Sequence, residues 1–417
     1  MIAIVRTSTL AFGLALLPAA ALGQDAPPAP APAPAPTPAP AAAPPADNPS
    51  LQAAKDAFKK GSWAEADDAA VKALGVDSKN LEALYIAGAA ERQINKLDDA
   101  ETHLKALVDA SPNFPQSNFQ LGYVYFLQAE QMARDGKFEP AKARYTDAAD
   151  QFAKETARND KHVPSLSSRA IALTRAGKLD DAVPAYEGWI AAVPQKNDPV
   201  VALASAYAAA GKSTEAMATL DRLPDKTPKA AFDAVMAAAN VFVAKRDWGA
   251  AVPFLEKAAA TDESSTRAVA LLAEACARSG LTAEAVTHLQ KLLTMEPTPE
   301  EAESVGEAIK ASVGDGKSSP SVQGVEPPAT LRVPSPRYPK GQDTSVQTDV
   351  LILAEISGTG AVMGTVLVPN RIWKDIRSSG FEAEAQDAVK RGKFAPGTKN
   401  GQPAELWTVV AVKFARQ

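Results

Sequence analysis

Residues 81–113 read LEALYIAGAAERQINKLDDAETHLKALVDASPN, and the fold turns on this stretch. It is dense in strong helix formers. Gly88 stands where a first helix would approach its neighbour, Ala100 answers it in a second helix, and bulky Leu104 follows four positions later. The pattern returns in both directions. Small residues recur at Ala54, Gly88, Gly122, Ala170, Ala204, Ala239 and Ala273, and alanines keep step at Ala66, Ala100, Ala148, Ala182, Ala216, Ala251 and Ala285. Both series advance by 34 residues, apart from one step of 48 and one of 35. Bulky residues lie four beyond the second series at Leu104, Phe152, Tyr186, Leu220, Leu255 and Leu289, with Ala70 in the first unit. Gly61, Gly177, Gly211 and Gly280 break the chain between paired helices, and Pro112, Pro194, Pro228 and Pro297 end units. One such pair cannot bury its own apolar face, so stacked neighbours must supply a shared core.

A helix-turn-helix unit of this length and pattern resembles the tetratricopeptide repeat (TPR). The resemblance covers residues 47 to 299 as seven units, and VALASAYAAAGKSTEAMATLDRL fits it as closely as the opening stretch. The third unit departs. It holds 14 extra residues in YVYFLQAEQMARDGKFEPAKARYTDAADQFAKETARND, which predicts two added turns on each helix. TPEEAESVGEAIKAS then reads as a capping helix with a polar outer face.

The first residues carry an export address. One cation in MIAIVRTST, the apolar run LAFGLALLPAAAL and the small residues of Ala21-Leu22-Gly23 predict a signal peptide over 1–23, cleaved after Gly23. The rival reading is an uncleaved anchor. A spanning helix needs about 20 apolar residues, and Arg6 followed by Thr7, Ser8 and Thr9 breaks the run early. Residues 24–46 alternate Ala and Pro, which fixes φ and removes amide donors, so they read as an extended spacer. The expected location is therefore periplasmic, with an inner-membrane anchor facing the periplasm as the alternative.

The whole sequence of 417 residues holds 44 Lys and Arg against 49 Asp and Glu. That balance gives no footprint for nucleic acid and no basic belt for anionic lipid. Cys276 stands alone, and His103, His162 and His288 are too far apart to suggest a metal site. No nucleophile-base set or phosphate loop is present; Gly358-Thr359-Gly360 reads as a turn between strands, and Gly314-Asp315-Gly316-Lys317 as linker. The reading is of a protein that is not an enzyme, has no cofactor or small-molecule substrate, and touches a membrane only if its N-terminal segment is retained.

The array, with its capping helix, is expected over 47–313 and a Gly, Ser and Pro rich linker over 314–326. Beyond it TDVLILAEIS and AVMGTVLV read as strands, FEAEAQDAVKRG as an amphipathic helix and LWTVVAVKF as a last strand. The fold class is thus an all-α solenoid of about seven helix pairs followed by a small α+β domain of ββαβ order. Within 327–417, Arg337-Tyr338-Pro339, the two strands, and the run FEAEAQDAVKRGKFAPGTKNGQPAELW with its closing strand resemble the C-terminal domain of the TonB energy transducers. Three features depart from that family: KGQDTSVQ replaces a short helix, Thr348 a glycine and Gly392 a tryptophan.

The TonB resemblance implies a periplasmic domain that meets outer-membrane transporters and adds a strand of the transporter to its sheet. By that analogy the receiving edge is Trp407, Thr408, Val409, Val410, Ala411, Val412 and Lys413, with Val410 and Val412 packing inward. The alternative is a strand that only completes the core. The TPR resemblance implies protein partners along the wall of first helices, where repeats two and three offer Tyr85, Arg92, Phe119, Tyr123 and Phe126. These aromatics either form a partner groove or fill space against the added turns.

Arg175, Met236, Asn240, Arg267 and Arg278 face the same way but read as a solvated wall. Cys276 reads as a core thiol, Trp63, Trp189 and Trp248 as helix-packing residues, and Asp98-Asp99 and Asp180-Asp181 as acidic caps of second helices. Two functions follow from the residues and resemblances: a non-catalytic periplasmic scaffold, or a membrane-anchored energy transducer for outer-membrane transport.

Overall fold

A computed structural model describes residues 48–313, 324–342 and 347–414. The expected signal peptide, the Ala/Pro spacer and most of the expected linker lie outside the described residues. The chain divides into two compact units that meet at Ala210 and Gly211.

The first unit is built from α1 (Pro49–Lys60), α2 (Trp63–Val76), α3 (Leu81–Gln93), α4 (Leu97–Ala110), α5 (Ser117–Arg134), α6 (Phe138–Arg158), α7 (Val163–Arg175), α8 (Leu179–Ala192) and α9 (Asp198–Ala209). Each helix packs on the next, and the first helices of successive pairs, α1, α3, α5 and α7, also touch. Local chemistry sets their ends. The Asn48 side chain accepts from the Ser50 and Leu51 amides, and Asn80 accepts from Ala83, so both helices start on a satisfied cap.

The periodic small residues do the work expected of close-packed helices. A Cβ on Gly122 would stand 2.9 Å from the Phe152 ring and 3.1 Å from the Ala148 carbonyl, and one on Gly88 would overlap Leu104. Phe152, Leu104 and Tyr186 are thereby fully buried against the neighbouring helix. In the third pair α5 and α6 run 18 and 21 residues, against 13 and 14 for α3 and α4. The added length makes roughly one and a half turns on one helix and two on the other.

The second unit continues with α10 (Ser213–Leu220), α11 (Pro228–Ala244), α12 (Trp248–Thr261), α13 (Thr266–Arg278), α14 (Thr282–Thr294) and α15 (Pro299–Val313). It ends in β1 (Val325–Glu326), β2 (Ala329–Arg332), β3 (Thr348–Ile356), β4 (Val362–Leu367), α16 (Trp373–Ser378), α17 (Phe381–Lys390), β5 (Lys393–Ala395), β6 (Gly397–Lys399), β7 (Gln402–Ala404) and β8 (Leu406–Phe414). The expected ββαβ order is present as β3, β4, α17 and β8, in an antiparallel sheet ordered β4-β3-β8. The rest of this region corrects that reading. Five short strands and α16 surround the frame: β1, β6 and β7 make a second sheet, and β2 pairs with β5. Strand pairing therefore begins at Val325, inside the segment expected to be linker.

The Asn400-Gly401 pair explains the tight β6–β7 turn. Both residues take positive φ, 53° and 77°, as the two central positions of a type I′ hairpin require. Tyr338 of the Arg-Tyr-Pro motif packs edge-on to Phe381 and Phe414, whose own centroids are 4.8 Å apart. That aromatic trio closes one end of the core between α17 and the sheet face carrying Val350, Ile352, Val410 and Val412.

The opposite face is not bare either. Leu353, Val366 and Val409 point there and are buried. α15 touches β8 and also the loop after β4, where Gly306 meets the Pro369 carbonyl so closely that no Cβ fits between them. Arg371 pairs with Glu303 at 2.8 Å, and Arg377 donates to the Leu293 carbonyl at 3.2 Å. The expected polar outer face of the capping helix is thus corrected: α15 offers Val305, Gly306 and Ile309 as buried positions and carries the C-terminal region on it.

Candidate functional site

Tyr85 and Arg92 are seven residues apart on α3, and Phe119, Tyr123 and Phe126 are spaced by four and three on α5. Both spacings return to one face of a helix. The structure brings all five together, with Phe126 stacked 6.4 Å from Tyr123, and leaves four of them partly exposed. The Arg92 guanidinium lies over the Tyr123 ring at 4.9 Å, and Tyr123 stands 6.0 Å from Phe119. The Arg92 Nε donates to Gln120 Oε1 at 3.0 Å, Gln120 Nε2 donates to the Tyr85 hydroxyl at 3.5 Å, and that hydroxyl donates to Gln116 Oε1 at 3.3 Å. The result is one hydrogen-bonded strip across two helices.

Phe126 is the exception. It is 5% exposed and meets Tyr145 edge-on at 5.3 Å, so it backs the strip from the core and does not line it. Tyr145 stands three residues before Ala148 on α6, as Leu97 does before Ala100 on α4, so an ordinary repeat position backs Phe126 and not the added turns. Phe119 is half-buried between Tyr123, Phe152 and the ring of His162. Space filling and surface lining are therefore both realised, by different members of the same set.

Burial holds the Tyr85 and Tyr123 phenols above their ordinary range and the Arg92 guanidinium below its own. Arg92 forms no ion pair among the described residues; the titratable groups beside it are the neutral phenols of Tyr123 and Tyr85. A desolvated cation whose stacked face and Nε are both fixed presents its remaining N–H groups in a set direction. Sequence reading missed Gln116, Gln120, Phe114 and His162. Phe114 packs 5.6 Å from Tyr85, and Phe58 extends the run of rings on the other side at 6.2 Å. Gln120 could have been found: it follows Phe119, the position one repeat after Tyr85.

A second polar cluster joins α2, α3 and α4. Glu91, 2% exposed, accepts from His103 at 2.8 Å, and Asp67, 3% exposed, pairs with Lys96 at 2.7 Å. Burial raises the Glu91 carboxyl, and the hydrogen bond that His103 donates to Glu91 raises the imidazole.

In the C-terminal sheet, Thr408, Val410 and Val412 point into the core below α17, while Trp407, Val409, Ala411 and Lys413 occupy the other face. Val409 is buried opposite Leu353, whereas Ala411 and Lys413 are exposed. β8 pairs with β3 through nine consecutive residues and with no other strand among the described residues. At its start Glu405 and Glu355 share a hydrogen bond; burial and that neighbouring carboxylate hold Glu355 above the usual range.

The other singled-out residues fall as follows. Cys276 is 1% exposed, and burial pushes its thiol up to about 11. Trp189 is buried and Trp63 and Trp248 half-buried. Arg175 lies 3.9 Å from Glu130, Met236 is buried, Asn240 is half-buried, Arg267 is exposed, and Arg278 pairs with Glu274 and stacks on Trp248. Asp98-Asp99 and Asp180-Asp181 sit in the first turns of α4 and α8 but cap no amide; Lys96 and Lys178 occupy the caps. The acidic pairs therefore favour the helix dipole without capping, and Asp98 also accepts from Gln128 Nε2 at 3.2 Å. Among the described residues no group of three or more His, Cys, Asp or Glu could hold a metal, and no helix is long and apolar enough to cross a membrane.

Tetratricopeptide-repeat family models match residues 51–128 and 136–197 in one case and 173–239 and 242–305 in the other. The helical region is a tetratricopeptide-repeat array. Among solved structures, the chain is similar to a MamA protein at 21% identity over 46% of this chain and 92% of that one, with a TM-score of 0.36. It is similar to a tetratricopeptide repeat protein from Parabacteroides merdae at 14% identity over 63% and 96%, with a TM-score of 0.40. A MamA fragment from Desulfovibrio magneticus aligns at 14% identity over 42% and 93%, with a TM-score of 0.36. No curated protein matches the chain.

Proposed function

We propose that this protein is a non-catalytic interaction scaffold of the cell envelope, exported to the periplasm, whose repeat strip receives a partner protein and whose C-terminal region docks by strand addition. Tetratricopeptide arrays bind other proteins, and one observation carries the choice of surface here. Arg92 is stacked, hydrogen-bonded through Nε and partly desolvated, yet has no carboxylate partner among the described residues. A folded chain gains little from such a cation, whereas a partner that brings an acceptor recovers its desolvation cost. The export reading rests on residues 1–23, and the strand-addition reading on the resemblance of 327–417 to TonB C-terminal domains together with a margin of β8 that no strand among the described residues pairs with. An outer-membrane transporter is the partner that resemblance suggests for the tail.

Cross-linking in the exporting cell, with identification of what is captured, tests this. Arg92→Met and Tyr123→Ala should each lose one captured protein while the thermal melt of the array stays close to that of the parent. Undiminished capture by both variants would remove the strip from the account.

A further inference from the structure

The rings of the strip form a row that starts on α1. Phe58 stands 6.2 Å from Tyr85, Tyr85 stands 5.6 Å from Phe114, and Tyr123 and Phe119 continue the row on α5 at 6.0 Å from each other. All five are half-buried, so the row meets solvent along its length. The polar groups left unused among these rings are donors. Arg92 engages only Nε and Gln116 only its side-chain oxygen, and the Tyr123 hydroxyl has no hydrogen bond among the described residues.

Such a surface is complementary to a chain that brings apolar rings to lie on the aromatics and carbonyls that its own amides leave free. A polyproline II segment has both properties: it makes no internal hydrogen bonds, its backbone oxygens stay open, and it is already extended, so docking orders little. A lone carboxylate would answer Arg92 but leave the rings uncovered. This chain carries a segment of that composition within reach. Residues 26–46 hold 10 prolines in 21 positions and no charge, so carbonyls outnumber amides nearly two to one.

The segment ends just before Asn48, the cap of α1, and Phe58 lies near the far end of that helix. The path from Asn48 to Phe58 is about 15 Å, and two interhelical steps from α1 to α5 add roughly 20 Å. In polyproline II geometry the segment spans about 65 Å, enough to turn back and cover the row. Every second residue from Pro28 to Pro40 is proline. Moving the segment by two residues therefore restores the same pattern after a rotation about its axis, and many docked positions are equivalent.

We propose that residues 26–46 lie along the strip of their own chain, with proline rings on Tyr85, Phe119 and Tyr123 and backbone carbonyls on Arg92 and Gln116. The spacer is then the resting occupant, and a foreign partner must displace it. Tethering holds the segment at an effective concentration on the order of millimolar, which suffices for a weak contact. The inference rests on the strip being a recognition surface, as proposed above, but needs no other protein.

A photo-reactive side chain placed at Gln93, exposed next to Arg92, tests this in the purified full chain. Irradiation should join position 93 to residues within 26–46 of the same molecule, at several sites, as a degenerate register requires. Arg92→Met should lower the yield about tenfold, and Pro30→Ser, Pro32→Ser, Pro34→Ser and Pro36→Ser together, outside the folded array, should lower it as much. Cross-links to a second molecule alone, none within the segment, or a yield that either change leaves as it was would overturn the proposal. A parent that captures nothing in cells yet forms this cross-link loses its foreign partner and keeps its own occupant, so the two readings fail separately.

Discussion

The helical repeats and the C-terminal sheet solve the same problem, covering an apolar face, at different ranges along the chain. In the repeats Phe152 fills the space left by Gly122 one helix earlier, so partners lie about thirty residues apart. In the sheet the last strand pairs with β3, which begins at Thr348, and the face below that pair is covered by α15, which begins at Pro299. The repeats hold together by local steps that can each be damaged alone. The sheet depends on segments that must all arrive together, and on a helix belonging to the array.

The sharpest way to break this contrast is within a repeat. Phe152→Ala empties a fully buried position between α5 and α6 and should cost about 3–5 kcal/mol. Urea unfolding followed by circular dichroism checks it, and because repeats unfold by neighbourhoods the transition should broaden as well as shift. The C-terminal side is probed by Gly306→Leu, which drives a side chain into the Pro369 carbonyl and should cost about 3 kcal/mol. Calorimetry should then resolve a separate, earlier melt of the C-terminal region, where the parent should show a single joint transition. An unchanged single transition would mean that α15 and the sheet are not energetically joined.

The smallest effect concerns charge. His103 is raised by Glu91, so its stabilising contribution is complete below the ordinary imidazole value of 6.5 and is lost as pH rises through the raised value. Glu91, itself raised by burial, acts in the same direction. Asp67 and Asp99 lie near the pair and favour the protonated imidazole. Stability of the parent should therefore fall across that window. His103→Gln should remove the imidazole part of the slope, leave that of Glu91, and cost about 1.5 kcal/mol on the acidic side, read from urea midpoints at a series of pH values.

What could be read from the sequence follows the same divide. The repeats announced themselves because Gly88, Gly122 and their partners recur at a fixed step, and each step is one local contact. The frame of the tail was legible because β3, β4 and β8 are long apolar runs. The short strands were not: β1, β2, β5, β6 and β7 have two to four residues each, and β1, β2 and β5 exist only through pairing with distant segments, while β6 and β7 form a hairpin too short to show alternation. The seat of the tail on α15 was equally silent, since Gly306 reads in isolation as a poor helix residue. At the strip, helical spacing placed Tyr85, Arg92, Phe119 and Tyr123 together but also swept in Phe126, because spacing within α5 does not show that Tyr145 of the next helix covers it. Of the glutamines that tie the strip into one unit, Gln116 carries no periodic signal and Gln120 is marked only by its place beside Phe119.

The lone thiol of Cys276 has a use that its burial creates. Packed at 1% exposure and held far from its reactive anion, it stays silent toward disulfide reagents as long as α13 keeps its place. The chain has no other sulfhydryl to confuse the signal. The molecule thus contains its own clock for breathing motions: the speed at which a dye titrates that sulfur reports how often this stretch of the array comes apart.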